Sequence, residues 1–235
     1  MPRLNEPQPG PVRQRVAGAI AAAIALIALT ASVHAQATQR PRLAPLDGTG
    51  VIPYFIAEGD EGSAYRPGDA ELAAWALREW EHHAAGALRF LPAGEMESSS
   101  IRFRWLRWAA DAELGRMEPS VANRRAIASL LIRPDETNFR PSIRRRVRED
   151  PLMRDVVLYY VCLHEIGHAL GLGHSSNVRD VMWSGGSGVT LPIYDRYRKR
   201  LRGRDDIPQT SWLSPADIAR LGALWGPDGL PHSTR

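Results

Sequence analysis

The chain has 235 residues, of which 44% are apolar and 24% are charged. This length and composition suit one compact domain with a buried core and argue against two large domains. The formal net charge of +4 is too small to define a class of partner. The only cysteine is Cys162, so an internal disulfide is excluded.

The first 35 residues have the pattern of a signal peptide. Three arginines precede the apolar run Val16–Leu29, and Ala35 ends a suitable cleavage sequence. The run is shorter than the roughly 20 residues of a membrane-spanning helix, so a retained anchor is the weaker alternative. We therefore predict a secreted or periplasmic protein with no stable membrane span after the signal peptide is removed. Residues 36–50 then form a short N-terminal segment.

The next segments predict a strand, a helix and further strands. Thr49–Glu58 is rich in β-branched and aromatic residues, which is typical of a strand. Asp69 is a suitable N-cap for a helix that ends near Gly86. The apolar positions of this helix recur at near helical spacing, at Leu72, Trp75, Ala76 and Trp80. Further extended pieces are predicted at Phe90–Leu91, Ile101–Leu106 and Ala126–Arg133. This order predicts an α+β fold in which helices pack on a mixed sheet.

Two stretches of the chain are rich in arginine. Arg140–Asp150 is most simply a solvated face, and the alternative is a basic rim that favours acidic substrates or anionic surfaces. Arg196–Arg204 extends the same bias. Neither stretch contains a nucleic-acid-binding module or a base-stacking pattern, so we predict no nucleic acid partner.

The most informative motif is HEIGHALGLGH, which runs from His164 to His174. We predict that its first half belongs to a long helix over residues 152–170. His164 and His168 are four residues apart, so they share one helix face, about 6 Å apart along the axis, and both can reach one metal ion. Glu165 lies about 100° further round the helix, beside that ion, where it can contact a water molecule without being a ligand.

Two glycines follow the predicted helix and allow the chain to turn back. Gly171 stands where a helix often needs a left-handed residue, and Gly173 adds a second flexible joint. The turn brings His174 back as a third ligand. Three neutral imidazoles with an open fourth position are typical of catalytic rather than structural zinc. Such an ion lowers the pKa of its water to about 7, and Glu165 is the predicted general base. The alternative, three histidines packed along a buried helix, is disfavoured by the fixed spacing of the third histidine.

The pattern HExxHxxGxxH, followed by Val181–Trp183, resembles that of the metzincin peptidases. With Ser175 included, the motif resembles the active-site helix of the matrixin branch, the family of the matrix metalloproteinase catalytic domains. The resemblance implies a metzincin-like fold with a twisted, mixed, mostly parallel sheet and two long helices. It places the active-site helix in mid-chain, and a Met-turn and a closing helix in a small C-terminal subdomain.

Several residues take their predicted roles from this resemblance. Met182 would form a hydrophobic floor beneath the zinc ligands. The segment Leu191–Tyr194 is similar to the wall of the specificity pocket, which makes Pro192 and Tyr194 candidate substrate-binding residues. Residues 213–226 have the character of the closing helix, and Ser214 is a suitable cap for it.

The predicted organisation is a catalytic domain over residues 51–235, with an upper part 51–173 and a lower part 174–235. The predicted activity is that of a zinc-dependent endopeptidase, a monomer that hydrolyses peptide bonds in protein or peptide substrates. The alternative is an exported zinc-bearing binding protein without turnover. The intact Glu165 argues against it, because a protein that loses activity commonly loses the base first.

The sequence also departs from the matrixin pattern. Only His82 and His83 precede the motif in the exported part, so we expect one catalytic zinc and no second, structural zinc. Calcium loops are not evident, and calcium stays possible without sequence support. Residues 36–50 contain no cysteine that could silence the site. Cys162 lies about 160° round the helix from His164, so we predict a buried free thiol and an enzyme that is active once exported and folded.

Overall fold

The five strands form one mixed sheet. In the computed structural model, which describes residues 50–107, 113–123, 125–185 and 190–226, the sheet has the order β2-β1-β3-β5-β4. The strands are β1 (Val51–Ile56), β2 (Arg89–Pro92), β3 (Ile101–Trp105), β4 (Gly115–Ala122) and β5 (Arg125–Ile132). β1 pairs in parallel with β2 and β3, and β3 with β5, whereas β4 pairs antiparallel with β5. The prediction of a mixed, mostly parallel sheet is confirmed. The predicted signal peptide lies outside the described residues.

In the described part of the chain, five α-helices accompany the sheet. They are α1 (Asp69–His83), α2 (Pro141–Glu149), α3 (Leu152–Ala169), α4 (Thr190–Arg198) and α5 (Pro215–Trp225). The two long helices, α1 and α3, pack against each other, and α3 also contacts β4 and β5. Fifteen of the 18 residues of α3 are buried, so this helix runs through the centre of the fold. The two long helices of the predicted α+β fold are therefore confirmed.

The beginning of α1 differs from the prediction that Asp69 is its N-cap. Gly68 is the N-cap, and Asp69 is the first helical residue. The carboxylate of Asp69 accepts hydrogen bonds from the guanidinium of Arg154, at 2.6 and 2.9 Å. Both side chains are almost fully buried. A buried guanidinium needs a carboxylate partner, and this requirement outweighs the preference of Asp69 for the N-cap position. The helix ends at His83, three residues before the predicted end at Gly86.

The arginine-rich run at residues 140–150 contains helix α2. Its apolar residues Ile143 and Val147 are one turn apart and buried, which leaves most of the arginines on the other faces. The interpretation as a solvated face holds for Arg145 and Arg148, which are exposed.

The segment Leu191–Tyr194 belongs to helix α4.

The closing helix α5 begins where its sequence signals predict. In α5, Ser214 is the N-cap and Asp217 completes a reciprocal capping box, with Pro215 as the first helical residue.

Cys162 on α3 is a fully buried free cysteine, as predicted, and burial raises the pKa of its thiol. Among the described residues, no helix has both the length and the apolar character to cross a membrane.

Candidate metal centre

Three histidine side chains converge at the end of helix α3. His164 and His168 lie one turn apart on the helix, and His174 follows its end. The ring centroids of His164 and His168 are 4.7 Å apart, and those of His168 and His174 are also 4.7 Å apart. One nitrogen from each ring lies within 4.8 Å of the other two, so the three residues could hold a metal ion.

The chain reversal after α3 brings His174 to this position. Gly171 has φ +92°, the left-handed region that disfavours side chains. Its N–H donates to the carbonyl of His168 at 3.0 Å, and the N–H of Leu172 donates to Gly167 at 2.9 Å. These two bonds form a Schellman motif, which ends the helix abruptly. Gly173, the predicted second joint, has no positive φ, and an added Cβ there would meet nothing within 4 Å, so its backbone geometry does not require glycine.

Hydrogen bonds to backbone carbonyls fix the tautomers of the two helical histidines. His164 donates from Nδ1 to the carbonyl of Val181 at 2.8 Å, and His168 donates from Nδ1 to that of Leu172 at 2.9 Å. A carbonyl oxygen only accepts, so each ring carries its proton on Nδ1 and keeps the Nε2 lone pair for a ligand.

The geometry and the protonation state of the histidines fit zinc. The Nε2 atoms of His168 and His174 are 3.1 Å apart. Two nitrogens bound to one tetrahedral zinc at about 2.0–2.1 Å lie about 3.3 Å apart, which is close to this separation. Burial, reinforced by the neighbouring His168, lowers the pKa of His164 to about 3. The imidazole is therefore neutral at physiological pH, as a metal ligand must be.

Glu165 is buried between helix α3 and the start of strand β4. An added Cβ at Gly115 would lie 2.8 Å from both Cγ and Oε1 of Glu165, and 2.6 Å from Cγ1 of Val161. Only glycine fits at this point of the strand, because any larger residue would displace the carboxyl group. This contact was not foreseen, since β4 itself was not predicted.

The segment around Met182 lies directly against α3. Met182 is fully buried, and an added Cβ at Gly167 would lie 2.3 Å from its sulfur, so the glycine between the two helical histidines makes room for the thioether. Tyr160, one turn before His164, donates its hydroxyl proton towards the carbonyls of residues 180 and 181 at 3.2 and 3.1 Å. The N–H of Ser175 donates to the carbonyl of Met182 at 2.7 Å. The Met182 segment thus contacts the helix and the residue that follows His174.

Two buried aspartates join this segment to helix α5. Asp217 accepts from the N–H of Val181 at 2.8 Å and pairs with Arg220 at 2.8 Å. Arg220 in turn donates to the carbonyl of Gly173 at 3.1 Å. Asp180 accepts from the hydroxyls of Ser175 at 2.5 Å and Ser214 at 2.8 Å. The sequence did not predict these roles of Asp180 and Asp217, because both depend on contacts between distant segments.

The candidate substrate residues occupy helix α4. Tyr194 is buried, and its ring meets that of Tyr160 edge-on at a centroid distance of 5.4 Å. Pro192 is exposed in the first turn of the helix. Their role in a specificity pocket stays a prediction. Within the described parts of the chain, the cluster His164, His168 and His174 is the only group of three or more potential metal-ligating side chains.

The mostly parallel sheet, the two long helices and the three converging histidines agree with the metzincin class of metallopeptidases. The sequence comparisons narrow this class. The family model described as matrixin matches residues 62–187, which is more than half of the chain. The chain therefore belongs to the matrixin family of zinc metallopeptidases.

The chain also resembles human matrix metalloproteinase-19. The two sequences are 36% identical over 73 residues. The match covers 31% of this chain and only 11% of matrix metalloproteinase-19, so it concerns a short part of that protein.

Proposed function

We propose that this matrixin is an exported, zinc-dependent endopeptidase that cleaves peptide bonds within proteins. The observation that supports this most directly is the convergence of His164, His168 and His174, with the buried Glu165 following His164 in the sequence. The three Nε2 atoms would hold one zinc ion. Bound in this way, a zinc ion would polarise a substrate carbonyl and would lower the pKa of a bound water molecule to about 7.

The proposed role of Glu165 is that of general base. Its Cα follows that of His164 and lies about 100° further round α3, so its carboxyl group is beside the imidazoles and is not a fourth ligand. The carboxylate accepts a proton from the attacking water and passes it to the leaving amine. The absence of a side chain at Gly115 leaves room for this carboxyl group against the start of β4.

The remaining assignments complete the proposal. Residues 1–35 are removed on export, and residues 51–235 form the catalytic domain with an upper part 51–173 and a lower part 174–235. The protein acts as a monomer on protein or peptide substrates in the periplasm or the medium. Met182 is the hydrophobic floor of the site, and Pro192 and Tyr194 contribute to substrate binding.

The second candidate function is an exported zinc-bearing binding protein without turnover. The tight fit around Glu165 argues against it, since a protein that only binds zinc does not need an acid oriented beside the ligands. The experiment is casein degradation by the zinc-loaded chain, with Glu165→Ala as the matched variant. We expect the variant to retain zinc and to lose at least about 100-fold in kcat/KM. If neither protein cleaved casein or any member of a broad peptide library, this result would contradict the endopeptidase proposal.

A further inference from the structure

We propose that the exposed basic side chains of helix α2, and of the segment after α4, form a binding surface for an acidic polysaccharide. This basic surface consists of Arg140, Arg145, Arg148, Lys199, Arg200 and Arg202, all of which are exposed. None of these residues is a candidate zinc ligand or the proposed general base, so binding to this surface requires neither zinc nor peptide hydrolysis.

Two ion pairs bring the distant segments of the basic surface together. Arg146 of α2 pairs with Asp195 of α4 at 3.1 Å. Arg198 of α4 pairs with Asp150, at the end of α2, at 2.7 Å. Both pairings advance along the two helices in the same direction, so the two arginine-rich stretches of the sequence meet along these ion pairs. We therefore treat their exposed basic side chains as one surface.

The same ion pairs occupy Asp150 and Asp195 and leave most of the outer basic side chains without a carboxylate partner among the described residues. Residues 140–150 and 190–206 contain eleven basic and five acidic side chains, an excess of six positive charges. The whole chain carries only +4, so the rest of the protein has a net negative charge. Of the basic surface, only Arg145 has a carboxylate of the described residues within 4.0 Å, that of Glu149 at the limit of this distance. An anionic partner would therefore replace water and counterions rather than an internal partner.

The apolar residues beneath the surface help to identify the partner. Ile143 and Val147 of α2, and Tyr194 and Tyr197 of α4, are buried. Insertion into a bilayer requires exposed apolar side chains on the binding face, and binding of single-stranded nucleic acid usually uses exposed aromatic ones. Neither kind is presented by these helices. A polymer that is recognised through its charges alone fits this surface better.

The spacing of the charges favours an extended polymer over a single small anion. Helix α2 has nine residues and is therefore about 13 Å long. Guanidinium groups pair well with sulfate and carboxylate groups, often through two parallel hydrogen bonds. A polysaccharide with a sulfate or carboxylate on successive sugars can place several such groups along α2 and the segment after α4 at once.

The test uses the purified full chain and two probes, heparin as a sulfated polysaccharide and polygalacturonate as a carboxylated one. The surface variant is R145Q/R148Q/R200Q. The matched control, R78Q/R89Q/R125Q, removes the same charge from exposed positions on α1, β2 and β5. Dissociation constants are measured over a series of salt concentrations. A third variant, R145K/R148K/R200K, keeps the charge at the surface, and melting temperatures show whether every variant is folded.

We expect the surface variant to bind at least one of the two probes roughly tenfold more weakly or worse, with a shallower salt dependence, because it releases fewer counterions. The control and the lysine variant should stay within about threefold of the parent. An equal loss in the control would mean that only net charge matters and would overturn the proposal. So would tighter binding to single-stranded DNA or to anionic lipid vesicles than to either polysaccharide, or a loss that appears only in variants with a lowered melting temperature.

Discussion

The Nδ1 atom of His164 lies 2.8 Å from the carbonyl oxygen of Val181. The N–H of the same residue, Val181, donates to the buried carboxylate of Asp217 in the last helix. A candidate metal ligand in mid-chain is therefore oriented by a backbone segment that the closing helix α5 holds in place. Support of this kind around a metal ligand is commonly as important as the ligand itself.

Asp217→Asn should weaken zinc binding without removing a ligand. The amide can keep some of the hydrogen bonds of Asp217 but loses the charge that pairs with Arg220. We expect a 10- to 100-fold increase in the zinc Kd, a typical effect of changing a residue that orients a ligand, measured by competition with a chromophoric chelator. The control is Asp205→Asn, an exposed site in the same part of the chain. An unchanged Kd in Asp217→Asn would refute the orienting role.

Gly115→Ala should reduce turnover and leave zinc content unchanged. The new methyl group would overlap Cγ and Oε1 of Glu165, so the carboxyl group must move. A displacement of about 1 Å in a reacting group costs up to about 100-fold in rate, so we expect kcat to fall 10- to 100-fold with little change in KM. In the control, Gly94→Ala, the methyl group meets no atom within 4 Å. A normal kcat for Gly115→Ala would show that Glu165 tolerates the shift.

Gly167→Ala should destabilise the fold although alanine favours helices. Its methyl group would lie 2.3 Å from the sulfur of Met182, and overpacking of this kind costs about 1–3 kcal/mol in the free energy of unfolding. Gly222→Ala in α5 meets no such neighbour and should gain up to about 1 kcal/mol from helix propensity. Urea denaturation measures both. The double variant Gly167→Ala/Met182→Ala should recover part of the overpacking cost, and additive losses would argue against the contact.

Asp69→Ala should cost about 3–5 kcal/mol in unfolding free energy, because it leaves the guanidinium of Arg154 buried without its carboxylate. The exposed pair of Arg145 and Glu149, at 4.0 Å, provides the comparison. Glu149→Ala should change the stability by less than about 1 kcal/mol. Thermal and urea unfolding of the two variants, measured side by side, test this difference. If Asp69→Ala lowered the unfolding free energy as little as Glu149→Ala does, the buried pair would not be needed to join α1 to α3.

The sequence was sufficient to predict the helix that carries the histidine motif, the strands β1, β3 and β5, and the closing helix, because each has a strong local signal. The mostly parallel pairing of the strands was expected only from the resemblance to the metzincins. The spacing of His164, His168 and His174 and the left-handed position of Gly171 depend only on neighbouring residues. The capping box at Ser214 is equally local. These features could be predicted before any tertiary contact was known.

The missed features depend on partners that are distant in the sequence. Strand β4 contains Pro119, and most of its residues are exposed, so it lacks an apolar alternation that would identify it. It forms because β5 offers an antiparallel partner over eight residue pairs. Asp69 looks like a helix cap until Arg154, 85 residues later, is brought beside it. The role of Asp180 likewise appears only when Ser175 and Ser214 meet its carboxylate.

The contacts of helix α5 limit how far the chain can be truncated at its C-terminal end. The matrixin match ends at residue 187. Ser214, Asp217 and Arg220 lie after that residue, and they form hydrogen bonds to the segments next to His174 and Met182. A recombinant fragment cut to the matched region would keep every candidate ligand and lose the residues that hold the loop in position. The smallest expressible unit that preserves the metal centre therefore has to extend through Trp225.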